Sequence, residues 1–447
     1  MHYLCRFFLT LGIALAVGRV AWADGRGPLR VGAAKVDITP PADAALPMAG
    51  YAARTEGFKG IHDHIYVRAI VIDDGATQVA LVAWELIGVP DQVWEAVSKR
   101  VAAETGISSE HLLLLAVHDH GAPALAGGFG PAASAGTAAF TAKVEDAAVD
   151  AVREAKSKLQ PARMGIGTGK AYLNINRREP VPGRNEWALG YNENGPSDKT
   201  LTVVRFEDLS GKPIALLINY AVHCVIMGQE NYQVTGDFAG ATSRFVEMHY
   251  LGQAPIGDAG PRMKLRPNEK VDGDGMVALW TSGAAGDQNP VSMGGGQDFF
   301  LVDALGKMLG EQVVRVSSGI DTATTTANLW GIQRVVSCPG RRWNRNANPP
   351  QATDSDPVNI RLSLVMLNDI ALAGVSGEVF TLIHQHLDQR SPFHYTIMLT
   401  HTNGSSGYIP DETAFDHMSY EIMSSRLKPG CAESAIITGL LEMMNRH

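Results

Sequence analysis

TQVALVAWELIGV (residues 77–89), DQVWEAVSKRVAAETG (91–106) and HLLLLAVHDHGAP (111–123) follow one another almost without a break, and their patterns decide the fold class. The first is a short apolar run of the kind that forms a buried strand. The second places Val93, Val97 and Val101 at helical spacing, with Asp91 as the expected N-cap and Gly106 as the stop. The third is another apolar strand, which drives straight into His118, Asp119 and His120 before Gly121 and Pro123 break it. The three together read as a β-α-β unit with its histidines at the carboxyl end of the second strand. Ligands bind at that end of open α/β sheets. A polar turn after a buried strand would have the same local pattern, so the motif alone leaves both readings open.

The same design recurs along the chain. PIALLINYAV runs to His223, DIALAGVSG to Glu378, and HYTIMLTHTNGSSGY reaches Tyr408 through a Gly/Ser turn. MVALWTSGAAGDQNP opens into a glycine-rich turn carrying Asp287 and Asn289. Helical patterns fill the gaps at residues 137–159, 238–250, 299–316, 379–387 and 432–444. NLWGIQRVVS and IRLSLVML read as half-exposed strands. Residues 252–275 and 340–357, polar and rich in glycine and proline, read as long loops. The expectation is an α/β protein with mixed β-sheets flanked by helices and a metal site at converging strand ends. Zinc accepts imidazole nitrogen and carboxylate oxygen, and a catalytic zinc keeps a position open. By spacing alone His118, His223, Glu378 and Tyr408 form a weak set, since Glu378 could equally be a charge at a helix N-terminus.

The beginning of the chain, MHYLCRFFLTLGIALAVGRVAWADG, has a charged start, a short apolar core and a small-x-small pattern at residues 21–23. It reads as a signal peptide, residues 1–23, on an exported protein, secreted or periplasmic, whose remainder (24–447) is one domain with no integral membrane segment. Removing it leaves Cys224, Cys338 and Cys431, too few for a disulfide framework; one bridge is open, with Cys338 to Cys431 among the pairings. The net charge of −8 is spread without a basic block, which argues against a nucleic-acid partner. A composition of 45% hydrophobic and 19% charged residues is that of an ordinary globular protein.

VGAAKVDITPP, MAGYA, GIHDHIYVRAIVI, AVHDHGAP, NINRREP, SDKTLTVVRF, NYAVH, TGDFAG, GAAGDQNP, GVSGEVFT and SGYIPDETAF with the later YE occur in that order over about residues 30–430. In number and order these resemble the neutral/alkaline ceramidase family. The resemblance implies a zinc amidohydrolase with one Zn2+ per chain, held by His118, His223, Glu378 and Tyr408. It places His120 on the substrate side, Arg177 near the substrate carbonyl and Tyr420 as a further substrate-side tyrosine. Asp237 and Asp287 become candidates to orient a ligand imidazole, with turn capping as the plainer role. Two departures from the family pattern stand out. The signature serine is replaced by Asn289, and no counterpart of the β-sandwich that follows the catalytic domain in the family is expected.

The implied reaction is attack of zinc-bound hydroxide on an N-acyl (amide) bond of a small-molecule or lipid substrate, ceramide-like or otherwise. His120, Arg177, Tyr420 and Asn289 are the candidate catalytic side chains. The alternatives are a zinc hydrolase of another bond, an ester or cyclic amide, on the same scaffold, and a catalytically silent binding relative.

Overall fold

A computed structural model describes residues 26–128, 130, 134–253, 275–294, 298–347 and 350–446. The expected signal peptide, and most of the expected loop at 252–275, lie outside the described residues.

In chain order, β1 (Arg30–Asp37), β2 (Tyr66–Asp73) and β3 (Gln78–Trp84) lead through α1 (Asp91–Thr105) to β4 (Leu112–Ala116). Then come α2 (Ala135–Ser157), β5 (Gln160–Lys170), β6 (Asn174–Pro180), β7 (Trp187–Asn192), β8 (Thr200–Asp208) and β9 (Pro213–Tyr220). The chain continues with α3 (Asp237–Tyr250), β10 (Val277–Ser282), β11 (Gln288–Pro290) and α4 (Phe299–Ser318). It goes on through β12 (Leu329–Asn344), β13 (Gln351–Leu367), β14 (Ile370–Val375) and α5 (Thr381–Arg390). Last are β15 (Tyr395–Leu399), α6 (Tyr420–Ser424) and α7 (Ala432–Met444).

One mixed sheet has the order β10-β9-β8-β5-β1-β2-β3-β4, and a second has β12-β13-β14-β15. β3 and β4 pair in parallel around α1, as the opening β-α-β pattern requires. The leucine run of β4 is buried on both faces. Leu112 and Leu114 pack toward α1 and α2, while Leu113 and Leu115 face Val365, Leu372 and Leu399 of the second sheet. Helices α3 and α4 cover the β9–β10 end of the large sheet, and α5 and α7 cover the outer face of the second. The result is helices, two facing sheets, and helices. Each leucine so buried contributes roughly 1.5–3 kcal/mol.

Three local expectations are corrected. Residues 340–344 and 351–357 are not loop; they form the distal part of the β12–β13 hairpin, paired from Gly340↔Ser355 to Asn344↔Gln351. Its side chains are largely exposed along residues 351–357, so no hydrophobic alternation marked it as strand. IRLSLVML is not half-exposed but buried, because β13 is an inner strand between β12 and β14 with α7 packed on it. Asp91 does not cap α1; it is the first helical residue, and its carboxylate accepts from the Ser405 amide (3.0 Å), tying α1 to the turn that leads to Tyr408.

Cys338 on β12 is bonded to Cys431 at the start of α7, closing 93 residues, and Cys224 is free and buried. The bridge fastens the hairpin to the segment following α6. Replacing both cysteines with serine is expected to cost about 2–4 kcal/mol. A urea midpoint unchanged from the parent would refute this.

A buried charge cluster was not foreseen. Arg68 on β2 pairs with Glu85 and donates to Glu247 (2.8 Å); Lys35 also donates to Glu247 (2.8 Å), and Arg244 pairs with Asp63. Three cations thus meet three carboxylates between the large sheet and α3. Asp63 also accepts from Thr235 Oγ1 (2.6 Å) and the Gly236 amide (2.9 Å), which anchors the turn into α3.

Candidate active site

The site forms where the carboxyl ends of β4, β9 and β14 meet. β4 ends at Ala116, and His118 lies beyond it in a left-handed conformation (φ 63°). His120 therefore reaches the same space through a turn and not through strand alternation. His118 Nδ1 lies 2.7 Å from the Ile87 carbonyl. It must donate there, which leaves the Nε2 lone pair for the site. His223, three residues past β9, does the same, with Nδ1 2.7 Å from the Ala285 carbonyl and 3.1 Å from that of Gln288.

Glu378 and Tyr408 arrive side by side, because Glu378–Val379 and Tyr408–Ile409 pair as a two-residue parallel ladder. Glu378 thus sits in a strand rather than at a helix N-terminus. Its Oε2 is 3.3 Å from His223 Nε2 and 3.4 Å from His118 Nε2; His120 Nε2 is 3.3 Å from His118 Nε2. Among the described residues, His118, His120 and His223 form a group whose ligand atoms all lie within 4.8 Å and could hold a metal ion.

The donor chemistry fits a metal. Nδ1 of His118 and His223 is committed to carbonyls, so Nε2 of each is turned to the Glu378 carboxylate and is the nitrogen available to a metal. Spacings of 3.3–3.4 Å match the edge of a tetrahedron with bonds of about 2.0–2.1 Å, the zinc–nitrogen length. Electrostatics keeps the set in its metal-binding form. Burial, with Arg177 nearby, pushes His223 down to about 4. Burial and then His118 hold His120 well below the usual imidazole range. Burial would raise Glu378, but His118 and His223 overcome it and hold the carboxyl ionised.

Residues 29–298 match the family described as neutral/alkaline non-lysosomal ceramidase, N-terminal. The chain belongs to this ceramidase family. Neutral ceramidase A of Dictyostelium discoideum is 32% identical over 245 residues, 52% of this chain and 34% of that protein. Neutral ceramidase of Pseudomonas aeruginosa is 29% identical over 279 residues, 57% of this chain and 40% of that one. The matched stretch thus spans well under half the length of either relative. A solved ceramidase complexed with C2 superposes with a TM-score of 0.73 at 17% identity, covering 93% of this chain and 75% of that one. The P. aeruginosa neutral ceramidase structure gives 0.71, with 94% and 75% covered. At that identity the likeness is one of fold.

Around this candidate metal group lies a cavity of about 490 Å³, lined by His118, His120, Glu378 and Tyr408 together with Met48, Tyr51, Arg54, Ile87 and Tyr420. Tyr420 stands at its rim, partly exposed, its ring edge-on to Tyr408 at 5.9 Å. Arg177 is buried and meets the site through Tyr408, donating from Nη2 to the phenol oxygen (2.9 Å). Its Nε donates to Glu421 (2.7 Å), and Nη1 points at Asn289 Oδ1 (3.4 Å). Asn289 on β11 is thus drawn to Arg177, while neighbouring Ser292 is exposed.

Of the two expected roles, Asp237 and Asp287 take the turn-capping one. The imidazole partners are main-chain carbonyls, and both aspartates brace the turns that bear the site. Asp237 accepts from the amides of Ile226, Met227 and Phe238, closing the turn beyond His223. Asp287 accepts from Thr381 and from Asn176 Nδ2 (2.9 Å), fixing the turn that presents the Ala285 and Gln288 carbonyls. Asp119 is fully buried, with one oxygen accepting from the Gly121 amide (2.7 Å).

Four residues were missed. His401 stacks on His118 (centroids 4.0 Å, interplanar 15°); it directly follows a strand end, the same signal that marked His118. Arg54 donates to the carbonyls of Ala49 and His120, holding the His120 turn from below. Tyr51 packs against the His120 ring at 5.0 Å. Glu421 is the buried partner of Arg177. The last three carry no periodic signal. Gly50 belongs with them. It has φ 95°, and a Cβ there would lie 2.2 Å from His120 Nδ1, so no side chain fits.

Proposed function

We propose that this protein is a secreted or periplasmic zinc-dependent amidohydrolase that cleaves an N-acyl bond in a ceramide-like lipid or another N-acyl substrate. The observation that carries the reading is the convergence of the His118 and His223 ring nitrogens on the Glu378 carboxylate at 3.3–3.4 Å, with His120 beside them at one cavity. In our reading His118, His223, Glu378 and Tyr408 hold the metal in a single domain spanning residues 24–447. Zinc there supplies Lewis acidity and a nucleophile at neutral pH.

The chain's own residues do the remaining work. Tyr420, at the cavity rim, is assigned to donate to the oxygen on which charge develops, and Arg177 supports it from behind Tyr408. His120, kept neutral by burial and so able to accept a proton, is assigned to take one from the attacking water and pass it to the leaving nitrogen as the C–N bond breaks. Met48 and Ile87 offer the acyl group an apolar wall. Water is consumed, and a carboxylate and an amine leave.

Zinc analysis with a hydrolysis screen over ceramides, N-acyl amino acids, simple amides and esters tests the reading, with Glu378→Ala as control. About one zinc per chain and turnover of an amide are expected; absence of zinc would favour a silent binding relative. Asn289 supports a second reading, in which the scaffold cleaves another bond, such as an ester. An amide at this position, held toward Arg177, replaces the family's hydroxyl. Under the first reading Asn289→Ser is expected to raise ceramide turnover by about tenfold, one good hydrogen bond's worth. An ester-only profile unaffected by this change would support the second.

A further inference from the structure

We propose that Glu421 is a positioning residue of the active site, acting on Tyr408 and Glu378 through the guanidinium of Arg177. This rests on the hydrolase reading above. Glu421 is the second residue of α6, 1% exposed, and adds nothing to the cavity wall. Both its oxygens are committed. Oε1 accepts from Arg177 Nε at 2.7 Å, and Oε2 accepts from Ser419 Oγ at 2.9 Å, with Arg178 Nε 3.9 Å away.

Arg177 in turn is held at its backbone, where its amide donates to the Asp287 carbonyl (2.9 Å). Its three nitrogens address three segments: Nε to α6, Nη2 to Tyr408 (2.9 Å) and Nη1 to Asn289 on β11 (3.4 Å). Tyr408, whose hydroxyl receives from Arg177, pairs directly with Glu378 across the short ladder and lines the same cavity. The order is therefore Glu421, Arg177, Tyr408, Glu378, running from an ion pair outside the cavity to a carboxylate inside it.

The physical reason for such a chain is competition. A buried guanidinium needs a carboxylate, and both Glu421 and Glu378 act on this one. Without Glu421, Arg177 turns to Glu378 and contends with the metal for it. Glu421 thus keeps Glu378 free and holds the phenol of Tyr408 in register.

The test uses the full chain, stripped of metal and titrated with zinc alone against a chelator, alongside kcat and KM on a short N-acyl substrate. Glu421→Ala is expected to weaken zinc binding and lower kcat, each by about 10–100-fold, as loss of an outer partner does elsewhere, while KM stays within about threefold. Glu421→Gln keeps an acceptor and recovers most of both. The decisive comparison is with Arg177→Ala. If Glu421 acts through Arg177, the double variant binds zinc no worse than Arg177→Ala alone; additive losses overturn the proposal. So does zinc affinity in Glu421→Ala equal to that of the parent. Should that variant fail to fold, Glu421→Asp, which withdraws the oxygen and keeps the charge, serves with the same expectation and the same overturning result. A parent protein that binds zinc but hydrolyses no amide would defeat the functional reading and leave the zinc comparison to decide on Glu421.

Discussion

His118→Ala is expected to abolish zinc retention and amide hydrolysis together, while the folded structure persists. His118 is central to the candidate group, since its Nε2 lies 3.3 Å from His120 and 3.4 Å from Glu378 and its ring stacks on His401. Its backbone is already in the left-handed region, so the side chain is presented by the turn and not by packing. Removing it takes a lone pair from the metal group and leaves the Ile87 carbonyl to a water. The loss in turnover should exceed the roughly 10–100-fold typical of losing an outer-shell partner. Metal analysis, an activity assay and a thermal melt on the same preparation check it. A variant that kept both zinc and turnover would remove His118 from the metal site.

Arg68→Ala is expected to be the most destabilising single change outside the site, by about 3–5 kcal/mol, because it leaves buried carboxylates without their cation. Arg68 is 3% exposed and bridges Glu85 and Glu247. Lys35 and Arg244 remain, but Lys35 reaches only Glu247, and Arg244 is engaged with Asp63. Because Asp63 anchors the turn entering α3, and Asp237 at the head of that helix closes the turn beyond His223, the disturbance should also lower metal affinity. The shift in urea midpoint measures the first effect; a loss under about 1 kcal/mol would mean that water reaches the cluster.

The legible parts of this protein were those where a local pattern has one physical solution. β3, α1 and β4 could be read from residues 77–116, because a two-sided apolar strand and an amphipathic helix differ in period. His118, His223, Glu378 and Tyr408, which the fold brings together, were legible as candidates because each follows an oily strand or a glycine-rich turn, and because the ordered motifs resemble one family. The distal end of the β12–β13 hairpin was not legible, since residues 351–357 are exposed on both faces and so have no hydrophobic period. Nor was the Arg68 cluster. Glu247 lies 179 positions from Arg68, and nothing local marks either as paired. Arg54 and Glu421 were hidden for the same reason, their partners lying at 66 and 244 positions' distance.

Read alone, the amino-acid order settles the class of fold and the residue types delivered at each strand end, because periodicity and residue chemistry are local properties. It does not settle that His120 comes within reach of the His118 ring, which depends on a left-handed turn at His118. It also leaves open which groups orient the imidazoles. Two aspartates were the natural candidates, yet carbonyls of Ile87, Ala285 and Gln288 take that place. Those carbonyls come from turns after β3 and β10, which only sheet pairing brings beside β4 and β9. Backbone groups are identical in every residue, so no side-chain code announces them.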